Sequence, residues 1–152
     1  MKHPLLILTL LLLAILPASA VKKIDIHPVK NIEANPINVA AILTEQPDTA
    51  SIAEACEYYG YERQQPNQDY TVFTHPNGST IRYKVSDSGT SYPIIEVKSN
   101  ASARQKTQIL QDLNFQKAAN CYERRSIGYI TRCSNGNQGF LRFTSHPKET
   151  KP

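Results

Sequence analysis

The chain has 152 residues, with 17 lysines and arginines against 13 acidic residues and a formal net charge of +4. This excess is small and dispersed, since Arg124-Arg125 is the only adjacent arginine pair, so it gives no reason to expect specific nucleic-acid binding. The length suits one domain rather than several.

Residues 1–20 have the three-part pattern of a secretory signal peptide. A short basic start, Met1-Lys2-His3, precedes an almost continuous apolar run over residues 5–16, and Ala18 and Ala20 are the small residues of a cleavage site. The alternative is a membrane anchor, but this run falls short of the roughly 20 residues that span a bilayer. We therefore expect a protein that is exported to the periplasm or the extracellular space and is soluble after cleavage.

The next part of the chain predicts an arm, a strand and a helix. Residues 21–36 lack sustained periodicity and are typical of an extended arm or linker, whereas the apolar run 37–43 suits a strand. A helix follows, with Gly60 as its left-handed C-terminal stop. Its apolar face has helical spacing and consists of Ile52, Ala55, Cys56 and Tyr59. Residues 61–63 begin a further strand.

The strongest local signal is a hairpin at residues 70–85, which contains Asn77-Gly78. A two-residue type I′ turn at this dipeptide pairs Phe73 with Arg82. That register places Phe73 on a mostly polar face, beside Arg82 and Lys84. The opposite face then collects the apolar side chains of Tyr70, Val72, Ile81, Tyr83 and Val85 together with Thr74.

The second half of the chain repeats the order of elements of the first. Residues 92–98 predict a strand, residues 102–113 a helix and residues 139–144 the last strand, before a flexible tail at 145–152. The sequence therefore predicts an α+β domain over residues 37–144, with two helices packed on antiparallel β-sheet. An offset of 54 residues aligns the two helices and the segments that follow them. This indicates an internal β-α-β-β-β duplication over 37–85 and 92–144, unless two helix-to-strand passages simply look alike.

Two of the three cysteines are candidates for a disulfide. If Ser126-Ile127-Gly128 forms a three-residue loop, Cys121 lies directly opposite Cys133 on antiparallel strands, within reach of a disulfide. An exported chain meets an oxidising environment, so we expect this pair to be bonded. Cys56 is then left as a buried thiol, and the alternatives are a bond to another cysteine, a disulfide-linked dimer or a reactive thiol.

Aromatic residues beside arginines on the sheet faces predict a protein-binding role. Phe73 with Arg82 and Lys84 has the composition of a protein-binding patch. A two-residue turn at Asn135-Gly136 places Tyr129 opposite Arg142, on the same face as Phe140. The alternative is that another part of the chain covers these faces. We expect a non-catalytic protein-binding protein of the inhibitor or immunity type, with the binding residues Phe73, Arg82, Lys84, Tyr129, Phe140 and Arg142.

Two other functions compete with this interpretation. A small secreted hydrolase, such as a nuclease, would use His75 and Glu96 with Arg82 as acid, base and phosphate-binding cation, although an ordinary solvated sheet face contains the same residue types. An envelope structural or assembly factor is the third class. Each histidine of the exported chain precedes a proline and the cysteines lack zinc-ligand spacing, so we expect no metal and no cofactor.

Overall fold

The computed structural model of the chain describes residues 35–45, 49–85 and 92–148. The predicted signal peptide and most of the predicted arm lie outside these residues. Within them the chain forms three helices and eight strands: α1 Pro36–Leu43, α2 Thr49–Tyr58, β1 Glu62–Arg63, β2 Thr71–Thr74, β3 Thr80–Val85, β4 Pro93–Lys98, α3 Ala103–Asp112, β5 Gln116–Lys117, β6 Tyr122–Arg125, β7 Tyr129–Asn135 and β8 Leu141–Pro147.

All eight strands belong to one antiparallel sheet, in the order β1-β2-β3-β4-β8-β7-β6-β5. The strands β1 to β4 thus form one half of the sheet and β5 to β8 the other half, and β4 pairs with β8 at the centre. Residues of all three helices join those of one sheet face in a single apolar core. The predicted α+β class is confirmed, with three described helices where the sequence predicted two.

The apolar run at 37–43 forms helix α1, so the strand predicted there is wrong. Asn35 caps this helix, its Oδ1 accepting a hydrogen bond from the Ile37 amide at 3.0 Å, and Pro36 occupies the first turn. The helix contacts β3, β4, β8 and both other helices, and almost all of its residues are buried. A helix buried on all sides has no amphipathic period, so its short apolar run resembles a strand.

The described residues include no helix that is both long and apolar enough to cross a membrane.

The two predicted helices are confirmed as α2 and α3, and both end in the same way. After Gly60 the amide of Tyr61 donates to the carbonyl of Cys56 at 2.9 Å, and after Asn114 the amide of Phe115 donates to the carbonyl five residues earlier at 2.9 Å. Gly60 and Asn114 have φ values of 81° and 64°, the left-handed conformation of a helix C-terminus. Each end therefore buries an aromatic ring and leads directly into a short edge strand.

The central hairpin forms, but its predicted register is wrong by one residue. Phe73 pairs with Ile81, not with Arg82. Pro76 favours a longer turn, because its fixed φ suits the second position of a turn that closes with a hydrogen bond between its first and fourth residues. The amide of Gly78 makes this bond at 2.8 Å, with a φ of 85°. Phe73 consequently faces the helices and is fully buried.

The β6–β7 hairpin also differs from its predicted register by one residue. Cys133 pairs with Tyr122 rather than with Cys121, because a two-residue turn at Ile127-Gly128 replaces the expected three-residue loop. Cys121, Cys133 and Cys56 are all thiols in the structure. Cys121 and Cys133 nevertheless line the same cavity of about 240 Å³ beside β6. The geometric reason for their disulfide is therefore wrong as first stated, and the bond itself stays a prediction.

The last hairpin has a longer connection and a longer final strand than predicted. Tyr129 pairs with Pro147 rather than with Arg142. Residues 136–140 form the connection between β7 and β8, where the sequence predicted a two-residue turn. Because β8 extends to Pro147, residues 145–147 belong to the sheet and not to the predicted tail.

Candidate functional site

Strand alternation divides the sheet into a face that packs on the helices and a second face, here called the polar face. The helix face is apolar and includes the fully buried side chains of Phe73, Ile81, Ile95, Val97 and Phe143. The strand positions between these residues form the polar face. Its charged side chains are six basic ones, Arg82, Lys84, Lys98, Arg125, Arg132 and Arg142, and three acidic ones, Glu62, Glu96 and Glu123.

Glu96 stands at the centre of the polar face, between its strand partners Arg82 on β3 and Arg142 on β8. Its Oε2 accepts a hydrogen bond from Arg82 Nε at 2.7 Å, and its Oε1 accepts one from Arg142 Nε at 2.7 Å. The Nη2 atoms of the two arginines lie 2.6 and 2.7 Å from the same oxygens. The side chain of Glu96 is 0% exposed, against 17% for Arg82 and 41% for Arg142. One guanidinium edge thus holds each carboxylate oxygen, and only Arg142 offers much of its surface to solvent.

Two aromatic rings enclose the guanidinium of Arg82. Its Cζ lies 4.0 Å from the ring centre of Phe140 and 4.5 Å from that of Tyr70. Tyr70 enters β2 from the β1–β2 connection, and Phe140 immediately precedes β8, so segments from both halves of the chain meet here. Cation–π contacts of this kind fix the arginine further. Arg82 is therefore an internal support of the cluster.

Electrostatics keep the centre of the polar face ionised. Burial opposes the charge of Glu96, but hydrogen bonds from Arg142 and Arg82 outweigh it and hold the pKa of this carboxyl below its usual value. The hydrogen bond to Glu96 correspondingly raises the pKa of Arg142. A carboxylate with a lowered pKa and both oxygens occupied is poorly suited to accept a proton from a substrate.

A second ionic cluster lies towards the β5 edge of the polar face. Glu123 on β6 accepts hydrogen bonds from Arg125 Nε at 2.9 Å and from Arg132 Nε at 3.1 Å. These bonds lower the pKa of the Glu123 carboxyl. The side chains of Arg125 and Arg132 are 71% and 53% exposed. A glutamate therefore again holds two arginines in place, in this case arginines whose side chains are mostly exposed.

Four of the six predicted binding residues come together on the polar face. Arg82, Arg142 and Phe140 surround Glu96, and the Nζ of Lys84 lies 5.2 Å from the ring centre of Tyr70, which covers Arg82. Phe140 is only 9% exposed. Its ring therefore supports Arg82 and offers little contact surface of its own.

The other two predicted binding residues lie elsewhere. Phe73 belongs to the core because the register of its hairpin differs from the prediction. Tyr129 points to the helix side of β7, where its hydroxyl lies 3.4 Å from that of Tyr92 and the two rings meet edge to face. Neither residue contributes to the polar face.

Sequence reasoning missed the role of Tyr70, and it considered Glu96 only as part of the hydrolase alternative and not as the partner of two arginines. The opposite charges of Arg82 and Glu96 were visible, but no local signal determines how β3 pairs with β4. Arg142 is 46 residues from Glu96 in sequence, and only the pairing of β4 with β8 brings the two together. A search of all possible strand pairs for opposite charges at directly paired positions would have found this cluster.

The three residues of the hydrolase alternative do not form a cluster. His75 lies in the β2–β3 turn, where its ring centre is 5.1 Å from that of Tyr61 and its Nδ1 accepts a hydrogen bond from the Asn77 amide at 3.2 Å. Tyr61 is a core residue on the helix side, whereas Glu96 and Arg82 lie on the polar face. The sheet therefore separates the histidine from the carboxylate.

Within the part of the chain that the structure describes, no three His, Cys, Asp or Glu side chains are grouped to hold a metal ion. The buried thiols of Cys56 and Cys133 each have a pKa raised to about 12, chiefly by burial, so neither is a ready thiolate.

Comparison with protein-family models, curated proteins and solved structures found no match to the chain. The interpretation of the site therefore rests on its own geometry.

Proposed function

We propose that this chain is a non-catalytic protein-binding protein of the inhibitor or immunity type, and that the polar face of its sheet is the binding surface. The observation that supports this proposal most directly concerns Arg142. Its side chain is partly exposed at the centre of the sheet, and its guanidinium is bound to the buried Glu96 of the neighbouring strand. Arginine is enriched among the residues that dominate protein interfaces, and such residues lie near the centre of the contact.

Preorganisation strengthens this argument. A long side chain that becomes ordered on binding costs about 0.5 to 1.5 kcal/mol. The hydrogen bond that Arg142 donates to Glu96 already holds its side chain, and those that Arg125 and Arg132 donate to Glu123 hold theirs. Ion pairs thus already orient three arginines of the polar face, which lowers the cost of ordering them on binding. An exported location is part of the proposal and is supported by the signal-peptide pattern of residues 1–20.

We also infer that the two halves of the sheet arose by duplication. Each half consists of one helix followed by four strands, and the same hydrogen-bond pattern ends α2 and α3. The repeats would then span residues 49–98 and 103–147 instead of the predicted 37–85 and 92–144, because residues 37–43 form α1 and not the first strand of a β-α-β-β-β unit. The cluster of Glu96 with Arg82 and Arg142 lies where the two repeats meet, at the β4–β8 pair.

A capture experiment tests the proposed function. The chain without residues 1–20 is immobilised and exposed to the exported fraction of its source, beside two charge-reversed forms. Lys84→Glu/Arg132→Glu alters the polar face and leaves Arg82, Glu96 and Arg142 intact. Arg104→Glu/Lys106→Glu makes the same charge change on α3 and is the matched control.

The proposal predicts one enriched protein that the polar-face variant loses and the α3 variant retains. Retention by the polar-face variant together with loss by the α3 variant would place the binding surface on the helices and refute the proposal. Cleavage of RNA or DNA that His75→Ala abolishes would favour the hydrolase instead.

A further inference from the structure

We infer that the polar face binds an extended acidic segment of a protein partner, with carboxylates at alternate residues directed at the sheet. This inference rests on the proposed function and specifies which kind of segment of the partner the polar face binds. It starts from a row of four basic residues that crosses four neighbouring strands, here called the basic diagonal: Lys98 on β4, Arg142 on β8, Arg132 on β7 and Arg125 on β6.

The strand register makes this row straight. Glu96, which lies two residues from Lys98 on β4, pairs with Arg142. At the next two steps each arginine lies two residues along its own strand from the residue that pairs with the preceding arginine, and every step runs in the same direction. Arg142, for example, pairs with Ser134, and Arg132 lies two residues from Ser134. Diagonal neighbours on adjacent antiparallel strands are separated by about 7 to 8 Å. The basic diagonal therefore presents a cation at nearly constant intervals across half of the sheet.

All four members of the row reach solvent, and glutamates hold its three arginines. Lys98 is exposed, and the three arginines become progressively more exposed from the centre of the sheet to its edge. Glu96 holds Arg142, and Glu123 holds the other two arginines, in each case through Nε. Arg142 also contacts Glu96 through Nη2, at 2.7 Å, so its Nη1 and the Nη groups of Arg125 and Arg132 are the donors that an incoming acceptor meets.

The charge of the chain is concentrated on this face. The polar face carries six basic and three acidic side chains, a net +3, whereas the other described residues carry six basic and five acidic ones, a net +1. Two of the three acidic side chains already bind two arginines each. A second copy of the same face would meet like charge, so self-association through it is disfavoured. Charge complementarity points to an acidic partner.

Spacing identifies the shape of that partner. An extended chain rises about 3.3 Å per residue, so alternate side chains on one side are separated by nearly 7 Å. This interval matches the step of the basic diagonal. On a helix, residues three or four apart are closer, at about 5 to 6 Å between Cβ atoms. An extended segment with an acidic residue at every second position therefore fits the row better than an acidic helix.

Single-stranded nucleic acid is the other extended polyanion, and the aromatic residues of the site disfavour it. Such strands bind by stacking their bases on exposed aromatic rings beside a basic groove. The rings of Phe140 and Tyr70 both stack on Arg82, and Phe140 is almost completely buried. They are thus occupied as supports, which leaves carboxylates as the ligand that the face accommodates.

Two synthetic peptides of identical Thr and Glu content, each about eight residues or one strand long, test this inference. One alternates Thr and Glu, and the other has all its Glu residues in one block. Calorimetric titration of the full chain at low salt should give about tenfold tighter binding of the alternating peptide, and added salt should weaken it.

A charge-conserving variant separates geometry from net charge. Arg132→Ser/Ser134→Arg keeps the net charge but moves one guanidinium off the row, so we expect it to lose the preference for the alternating peptide. Arg104→Ser on α3 should keep that preference. Equal binding of both peptides, or an unchanged preference in the exchanged variant, would overturn the inference.

A single-stranded oligonucleotide that binds more tightly than the alternating peptide would overturn it as well. These outcomes are distinct from a failure of the proposed function. A partner captured through the polar face without any preference between the peptides would leave that function standing and refute only the acidic segment.

Discussion

The substitution Glu96→Gln tests whether charge or only shape holds the centre of the polar face. Glutamine keeps the volume and one acceptor oxygen, but it turns an NH2 group towards one of the two arginines, which has no acceptor to offer. Glu96 is fully buried and Arg82 nearly so, and water replaces the lost carboxylate only in part. Both guanidinium groups then lose their neutralising partner, and they also repel each other.

The magnitude follows from burial. Removing one partner of a buried ion pair costs about 3 to 5 kcal/mol. Arg142 is partly exposed and regains water, which reduces this loss. We therefore expect Glu96→Gln to lower the free energy of unfolding by about 2 to 3 kcal/mol near neutral pH. Urea unfolding followed by far-ultraviolet circular dichroism measures it, since the chain contains no tryptophan.

A matched control is Glu123→Gln, which also removes a carboxylate from two arginines. Both of those arginines are mostly in solvent, so the loss of stability should be much smaller. The difference between the two variants isolates the effect of burial. Equal losses would refute the reasoning, because burial of Glu96 would then contribute nothing to the strength of its cluster.

Acidification provides a second check on Glu96. Folding lowers the pKa of this carboxyl, so its stabilising contribution is complete above the pKa in the unfolded chain, about 4.3, and is lost as the pH falls through the lower folded value. The stability gap between the natural chain and Glu96→Gln should therefore narrow below pH 4 or so. A gap that stays constant on acidification would contradict the lowered pKa.

Three further predictions concern the rest of the fold. With oxidised glutathione we expect Cys121 and Cys133, which line one cavity, to form a disulfide while Cys56 stays a thiol; mass mapping under non-reducing conditions that found Cys56 bonded would be contrary evidence. Arg124→Met removes the hydrogen bonds that Arg124 donates to the Ala41 carbonyl of α1 and to Glu45, and should lower the free energy of unfolding, measured in urea, by about 2 kcal/mol. The control Arg125→Met should have little effect. Ser102→Ala removes the capping box of α3 and should lower the melting temperature through a loss of about 1 kcal/mol, and Ser102→Asp should restore most of it.

Elements with local signals could be predicted from the sequence. Helices α2 and α3 carry apolar residues at helical spacing and end at Gly60 and Asn114, two residue types that tolerate a positive φ. The strand at 93–98 is mostly apolar, with Glu96 and Lys98 as its two charged residues. Helix α1 was missed because a fully buried helix has no polar side, although the pair Asn35-Pro36 was a readable start signal.

Register was the main source of error, and it decided which residues were assigned to the site. Arg82 and Lys84 were placed correctly because the alternation within β3 is unambiguous. Phe73 was placed wrongly because a shift of one residue in pairing exchanges the two faces of its strand. The cluster itself depends on β4 pairing with β8, a contact between distant parts of the chain that turn chemistry does not specify.

The most direct test of the binding surface is a methyl NMR titration of isoleucine-labelled chain with the captured partner. Ile94 and Ile130 lie on the polar face, Ile52 of α2 and Ile109 of α3 are buried in the core, and Ile127 is exposed at the tip of the β6–β7 turn. If the polar face is the binding surface, the partner shifts the signals of Ile94 and Ile130 and leaves those of the buried pair in place. Shifts confined to Ile127 or to the helices, with Ile94 and Ile130 unchanged, would contradict it.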